Sequence, residues 1–250
     1  MKLQNKVAIV SGGARDIGRA ISIKLASEGA KVVFSYLDSP EQAEETVELI
    51  KSAGGEAIAV QGNMTIGSEV AKMVQTAKEA YGDKVDILVN VVGGLVGRKT
   101  LEEMDEEFFD FVISVNLKSV FLLMKHVTPL MSAGSSVINF ASVAARDGGG
   151  PGASAYATGK GAVATFTRSM AKELGPKGIR VNALNPGMIA TAFHDTFTKP
   201  EVRANVANGT PLRREGKASE IADLVCYLGG DESTFITGAN IDINGGIYFS

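Results

Sequence analysis

The chain has 250 residues, 45% of them hydrophobic and 21% charged, with a formal net charge of −3, enough length and apolar content for one self-sufficient core. Its Lys and Arg are scattered, which argues against nucleic acid as a partner, because phosphate binding needs a clustered basic surface. No apolar run approaches the roughly eighteen residues of a membrane span, and the first residues lead into a strand-like run with no signal-peptide pattern, so a cytoplasmic protein is expected.

Lys6–Val10 reads as a short apolar strand, Ser11 to Gly18 as a glycine turn, and Arg19–Ser27 as a helix. Lys31–Tyr36 is a second buried strand, which completes a βαβ unit of the length expected for a dinucleotide site. Glycines in such a turn let the backbone approach a pyrophosphate at a helix N-terminus, where free N–H groups and the dipole favour negative charge.

The spacing is Gly-x-x-x-Gly-x-Gly with Asp16 in the middle glycine's place, and here the chain resembles the short-chain dehydrogenase/reductase family, whose motif is Thr-Gly-x-x-x-Gly-x-Gly. Gly12 and Gly18 are kept and Ser11 replaces the Thr. The resemblance makes Gly12, Arg15, Asp16, Ile17 and Gly18 the cofactor turn. A carboxylate so near a phosphate site is expected to point away or to pair, for instance with Arg15 or Arg19. An acid at the end of the second strand would select NAD, but Tyr36 stands there. With Arg15 at the turn, where NADP-using relatives often carry a base, NADP(H) is expected over NAD(H); Asp38, two residues beyond Tyr36, weighs the other way.

The alternation continues through helix Pro40–Ala53, strand Glu56–Gln61, helix Ile66–Tyr81 and strand Val85–Asn90. Repeated βα units predict an α/β fold with a parallel sheet and helices on both faces, and the resemblance implies a single-domain, Rossmann-type doubly wound sheet of about seven strands. Asn63 stands where the family usually has an Asp that contacts the adenine amine, and its side-chain oxygen can accept that bond. Asn90 and Gly93 occupy the first and last places of the family's Asn-Asn-Ala-Gly motif. Ordinary turn chemistry is the competing reading of Asn63 and Asn90.

A long apolar helix, Phe108–Met131, follows and contains Asn116. In relatives an Asn here interrupts the helix and holds a water beside the active lysine; a satisfied structural amide is the alternative. Strand Ser136–Phe140 delivers Ser142, and a loop containing Gly148, Gly149, Gly150 and Gly152 folds back easily to a helix over Ser154–Leu174. Tyr156 and Lys160 share one face of that helix at i and i+4, so the ammonium is expected to lower a phenol pKa of about 10 towards neutrality. After strand Ile179–Leu184, Asn185 to Thr191 matches the family's Pro-Gly motif, by which Pro186, Gly187, Ile189 and Thr191 hold the nicotinamide carboxamide. Residues 192–213 show no core period and are expected to form a substrate lid. Helix Lys217–Leu228, with the single Cys226 packed in the core, and strand Ala239–Ile243 complete the chain.

These features predict a carbonyl/alcohol oxidoreductase in which Tyr156 is the acid, Ser142 orients the carbonyl and Lys160 tunes the phenol. The resemblance adds a ribose contact by Lys160, a water relay through Asn116 and a homotetramer. No metal is expected. Arg98, Arg146, Asp147 and His194, with few large aromatics, suggest a small polar oxo-acid or sugar-derived carbonyl such as a ketouronate, although each is also readable as a solvated charge. A 3-oxoacyl-[acyl-carrier-protein] reductase is the alternative and calls for a basic docking patch, which is not evident in the sequence. A non-catalytic dinucleotide-binding sensor or scaffold is the reading of another class.

Overall fold

Seven strands form one parallel sheet in the order β3-β2-β1-β4-β5-β6-β9 in the computed structural model, which describes all residues except 193, 194, 196–198 and 250. They are β1 (Val7–Ser11), β2 (Lys31–Tyr36), β3 (Glu56–Gln61), β4 (Ile87–Asn90), β5 (Ser136–Phe140), β6 (Arg180–Pro186) and β9 (Asn240–Ile243). Order reverses between β1 and β4, so the carboxyl ends of these strands open a crevice there. A small second sheet pairs β7 (Ile189–Ala190) with β8 (Gly216–Lys217).

Both faces of the sheet are buried, which is why its strands read as continuous apolar runs. Side chains alternate between two cores. Val7, Ile9, Val33, Leu88 and Val137 face α3 (Gly67–Tyr81), α5 (Ser119–Val127) and α7 (Ser154–Leu174). Ala8, Val10, Phe34, Val89 and Ile138 face α1 (Asp16–Ser27), α2 (Pro40–Ser52) and α9 (Ala218–Gly229). Cys226 lies in this second core, 3% exposed.

The expected helix Phe108–Met131 is divided. An α-helix, α4 (Glu106–Ile113), passes through a five-residue π segment, Ser114–Lys118, into α5. Asn116 explains the change. Its Nδ2 donates to the Val112 carbonyl at 2.9 Å, so a side chain serves the i−4 acceptor, and the ladder shifts to an i−5 bond from Ser119 N to Ser114 O. Within 192–213, where no periodicity is legible, α8 spans Pro200–Gly209. Proline in its first turn and glycine at its end are ordinary helix punctuation, but none of its residues is buried, so it carries no apolar stripe. A short helix, α6 (Ala144–Asp147), begins just after Ser142.

Candidate active site

The crevice is a cleft of about 730 Å³, large enough for a dinucleotide with its substrate. One wall is the turn between β1 and α1. Gly12 has φ +70°, and a Cβ on Gly18 would lie 1.9 Å from the Gly12 carbonyl oxygen, so the turn closes only around glycine. Ser11 keeps the work of a hydroxyl, since its Oγ accepts from Val91 N at 3.0 Å and Val92 N at 3.1 Å. Gly12, Arg15, Asp16, Ile17 and Gly18 all line the cleft. With the N-terminus of α1 facing it, this cradle fits the phosphates of a nicotinamide dinucleotide.

Asp16 pairs with neither arginine. It adopts φ +51°, a left-handed backbone that ordinarily favours glycine, and its Oδ1 accepts from Ala192 N at 2.8 Å. Arg19 is held by Glu45 at 2.8 Å. Arg15 is exposed on the cleft wall and has no ion-pair partner among the described residues.

Tyr36, Asn63 and Gly93 line the cleft from the strand ends, and Pro186, Gly187, Ile189 and Thr191 from the opposite side. Asn63 spends its side-chain oxygen locally, accepting from Thr65 N at 3.0 Å and Thr65 Oγ1 at 2.8 Å. That is turn chemistry, and it takes up the acceptor expected for the adenine amine. Asn90 is 1% exposed and off the wall. Its Nδ2 donates across the sheet to Asn139 Oδ1 at 2.7 Å, and Asn139 Nδ2 donates to Thr167 Oγ1 at 2.9 Å. It braces β4 against β5 and α7.

Ser142, Tyr156 and Lys160 meet on the cleft wall. Burial raises the pKa of Tyr156, and the nearby Ser142 hydroxyl pulls the other way. Lys160 is 4% exposed. Its Nζ donates to the Phe140 carbonyl at 2.7 Å and lies 5.9 Å from the centre of the Tyr156 ring. Burial pushes its pKa down to about 8. The expectation that the ammonium lowers the phenol is therefore not met here, because burial is the largest cause of the shift on both groups.

Lys160 also makes stability depend on pH. Its folded pKa is depressed, so between pH 8 and 10.5 the unfolded chain binds the extra proton, and stability rises with pH through that window. Relative to Lys160→Met, the wild type is expected to gain about 3 kcal/mol from pH 8 to 10.5, measured by denaturant unfolding at each pH. A pH-independent difference would show that the lysine titrates normally.

Asn116 is fully buried beside this group. Its Nδ2 also donates to Gly94 O at 2.9 Å and its Oδ1 accepts from Gly94 N at 3.0 Å, so its described bonds all go to backbone, the structural reading of this amide. Arg98 lines the mouth and donates from Nη1 to Pro151 O at 2.8 Å. Arg146, expected at the mouth, is turned away from it into an ion pair with Asp242, because a largely covered guanidinium needs a counter-charge. Asp147 is on the wall; His194 lies outside the described residues. Sequence reasoning missed Leu95, Met188, Val206 and Ile247, which line the cleft and carry no local signal beyond being apolar in loops, a helix with no apolar stripe and the C-terminal tail.

The family model described as enoyl-(acyl carrier protein) reductase matches residues 12–248. A 3-oxoacyl-[acyl-carrier-protein] reductase, FabG, of Staphylococcus epidermidis is 37% identical over 246 residues, covering 98% of this chain and 99% of the relative. An uncharacterized oxidoreductase of Methylorubrum extorquens is 36% identical over 98% of this chain and 99% of its own. A short-chain dehydrogenase/reductase from Serratia marcescens superposes with a TM-score of 0.94 at 35% identity, covering 99% of both chains. A short chain dehydrogenase from Burkholderia cenocepacia, solved in complex with NADP, does so with a TM-score of 0.92 at 32% identity and the same coverage. With its parallel sheet, its glycine turn and these likenesses along nearly its whole length, the chain belongs to the short-chain dehydrogenase/reductase family and is an NAD(P)-dependent oxidoreductase.

Proposed function

We propose that the protein reduces a carbonyl with NADPH, and the convergence of Ser142, Tyr156 and Lys160 on one cleft wall carries this reading. A bound nicotinamide supplies the hydride, which side chains cannot. Tyr156 gives its proton to the developing alkoxide, and burial keeps that proton on the phenol at neutral pH until it is needed. Ser142 orients the carbonyl oxygen. Lys160 holds positive charge beside the phenol and would hold the ribose of a bound cofactor, and the π segment around Asn116 shapes the floor. A sensor or scaffold is the weaker reading, because a non-catalytic binder has no need of Ser142, Tyr156 and Lys160 together on one wall.

Arg15 supports NADPH, being a cation on the cofactor wall without an ion-pair partner among the described residues, opposite a β2 end that carries Tyr36. Asp38 is exposed and accepts from Ser39 Oγ at 3.1 Å. Arg15→Ala is expected to weaken NADPH binding about tenfold or more, the worth of a charge-assisted hydrogen bond, and to leave NADH within twofold. Fluorescence titration of both cofactors decides it; equal losses would remove the 2′-phosphate role.

For the substrate, the curated relatives favour a 3-oxoacyl thioester. A second reading, a small polar oxo-acid such as a ketouronate, is favoured by Arg98 at the mouth and by the surface around it. Lys99 pairs with Asp105, Arg214 with Glu220, and Arg203 with Glu215 and Asp195, while Glu102, Glu103, Glu106 and Glu107 add negative charge next to the Lys99–Asp105 pair in the chain. Such a rim offers an acidic carrier protein little to dock on. Side-by-side turnover of acetoacetyl thioesters and of oxo-acids, with NADPH and with NADH, separates the two readings. Exposed Phe109, Phe111 and Phe121 along α4 and α5 support a homotetramer. No helix among the described residues is long and apolar enough to cross a membrane.

A further inference from the structure

Arg146 lies on α6, which starts two residues after Ser142, and its side chain is 25% exposed. It reaches away from the cleft to the last strand of the sheet. Nη2 donates to the Asn240 carbonyl at 3.1 Å, and Nε stands 3.6 Å from Asp242 Oδ1. The same carboxylate oxygen accepts from Asn185 Nδ2 at 2.9 Å. Asp242 is itself only 15% exposed. One carboxylate oxygen thus joins the segment after Ser142 to the residue before Pro186 and Gly187.

Each end of this bridge leads to a group on the cleft wall. On the first side, Ala144 N donates to Ser142 Oγ at 3.1 Å, so the start of α6 holds the hydroxyl. On the second, Gly187 N donates to Ile243 O at 3.0 Å, and a Cβ on Gly187 would lie 2.8 Å from Asn244 Cα. The segment is pressed onto the end of β9. Backbone closes the loop, with Val143 N donating to Pro186 O at 3.1 Å.

The cluster is imperfectly satisfied. Four buried side-chain polar atoms lack a hydrogen-bond partner among the described residues, and three of them, Arg146 Nε, Asn185 Oδ1 and Asn240 Oδ1, belong here. If stability alone were served, apolar residues of similar volume would do as well or better than a covered, half-satisfied ion pair. A polar bridge costs stability and gains a defined geometry.

We infer that the Arg146–Asp242–Asn185 bridge is a positioning device that sets Ser142 against the Pro186–Gly187 segment, with no member touching the substrate. This rests on the proposed role of Ser142 in orienting the carbonyl. The test compares Arg146→Gln, Arg146→Lys, Asp242→Asn and the double variant Arg146→Gln/Asp242→Asn with wild type and Ser142→Ala, using whichever carbonyl substrate the panel identifies. Turnover number, Michaelis constant, NADPH affinity and melting temperature are measured for each, with assays well below the lowest melting point.

Arg146→Gln and Asp242→Asn are each expected to lower kcat by about tenfold, with the Michaelis constant and NADPH affinity within threefold, the signature of lost transition-state geometry. The double variant, which removes both charges together, is expected to lose less than the product of the single losses. Arg146→Lys keeps the charge, is the least disruptive to folding, and is expected to fall between wild type and Arg146→Gln. A drop in melting temperature with kcat unchanged in all four variants would reduce the bridge to a structural brace. A rise in the Michaelis constant alone would return Arg146 to substrate binding. Both outcomes overturn the inference while Ser142→Ala remains inactive; a fully active Ser142→Ala would instead remove the role of Ser142 on which the inference stands.

Discussion

Tyr156→Phe is expected to lower carbonyl reduction by about 10³-fold, within the range attributable to one positioned proton donor, while NADPH affinity stays within a few fold. The phenol lies on the cleft wall with Ser142, and burial raises its pKa. It therefore holds its proton at neutral pH and releases it only to a strong base such as a developing alkoxide. Phenylalanine keeps the ring and its packing and deletes only the hydroxyl. Single-turnover oxidation of bound NADPH, with a separate fluorescence titration for binding, reads the two effects independently. Wild-type-like turnover would remove Tyr156 from the chemistry.

Gly93→Ala is expected to be nearly as damaging, by another route. Gly93 has φ +155°, and a Cβ built on it would stand 2.6 Å from Lys160 Nζ and 2.8 Å from Asn116 Oδ1. Neither neighbour yields readily. The ammonium is tied to Phe140 O at 2.7 Å, and the Asn116 amide bonds Gly94 and Val112. The methyl group must displace a buried charge or break the bonds that maintain the π segment, and a misplacement of this size beside reacting atoms costs on the order of 10²-fold in turnover. For a chain of this length the melting temperature should fall by about 2–4 °C per kcal/mol lost. Gly161→Ala is the control, since Gly161 follows Lys160 on α7 and its Cβ would meet nothing within 4 Å. That variant should keep full activity and gain up to about 1 kcal/mol of helix stability. Full activity in Gly93→Ala would show that Lys160 tolerates displacement.

Much of the architecture is legible in the sequence because hydrophobic period and glycine punctuation are local properties. Lys6–Val10, Lys31–Tyr36 and Glu56–Gln61 declared themselves as short strand runs, the second of them a buried one, and the βαβ spacing turned Gly12 and Gly18 into a cofactor turn. Tyr156 and Lys160 were legible as a helical pair, and Ser142 as the residue a strand end delivers to them. What stayed hidden depends on partners far away in the chain or on burial. The hydrogen bond from Ala192 to Asp16 spans 176 residues, and no charge rule predicts a backbone N–H as its donor. The direction of Arg146 is set by Asp242 on the last strand. The depressed pKa of Lys160 follows from the walls around it rather than from its i−4 neighbour. The π segment leaves the apolar pattern of residues 108–127 unbroken, since a side chain replaces one ladder bond without changing residue type.

The chain's single thiol has a practical consequence. Cys226 is sealed in the core against α1, and burial pushes its pKa up, so the reactive thiolate is scarce at neutral pH. The wild-type protein is in effect a blank for maleimide chemistry. A cysteine introduced at Val202, which is exposed on α8, can carry a fluorophore with the native thiol left in place, and it would report from the segment beside the cleft as NADPH and candidate carbonyls are added. Ligand-induced changes in that segment thus become measurable without any further substitution in the background.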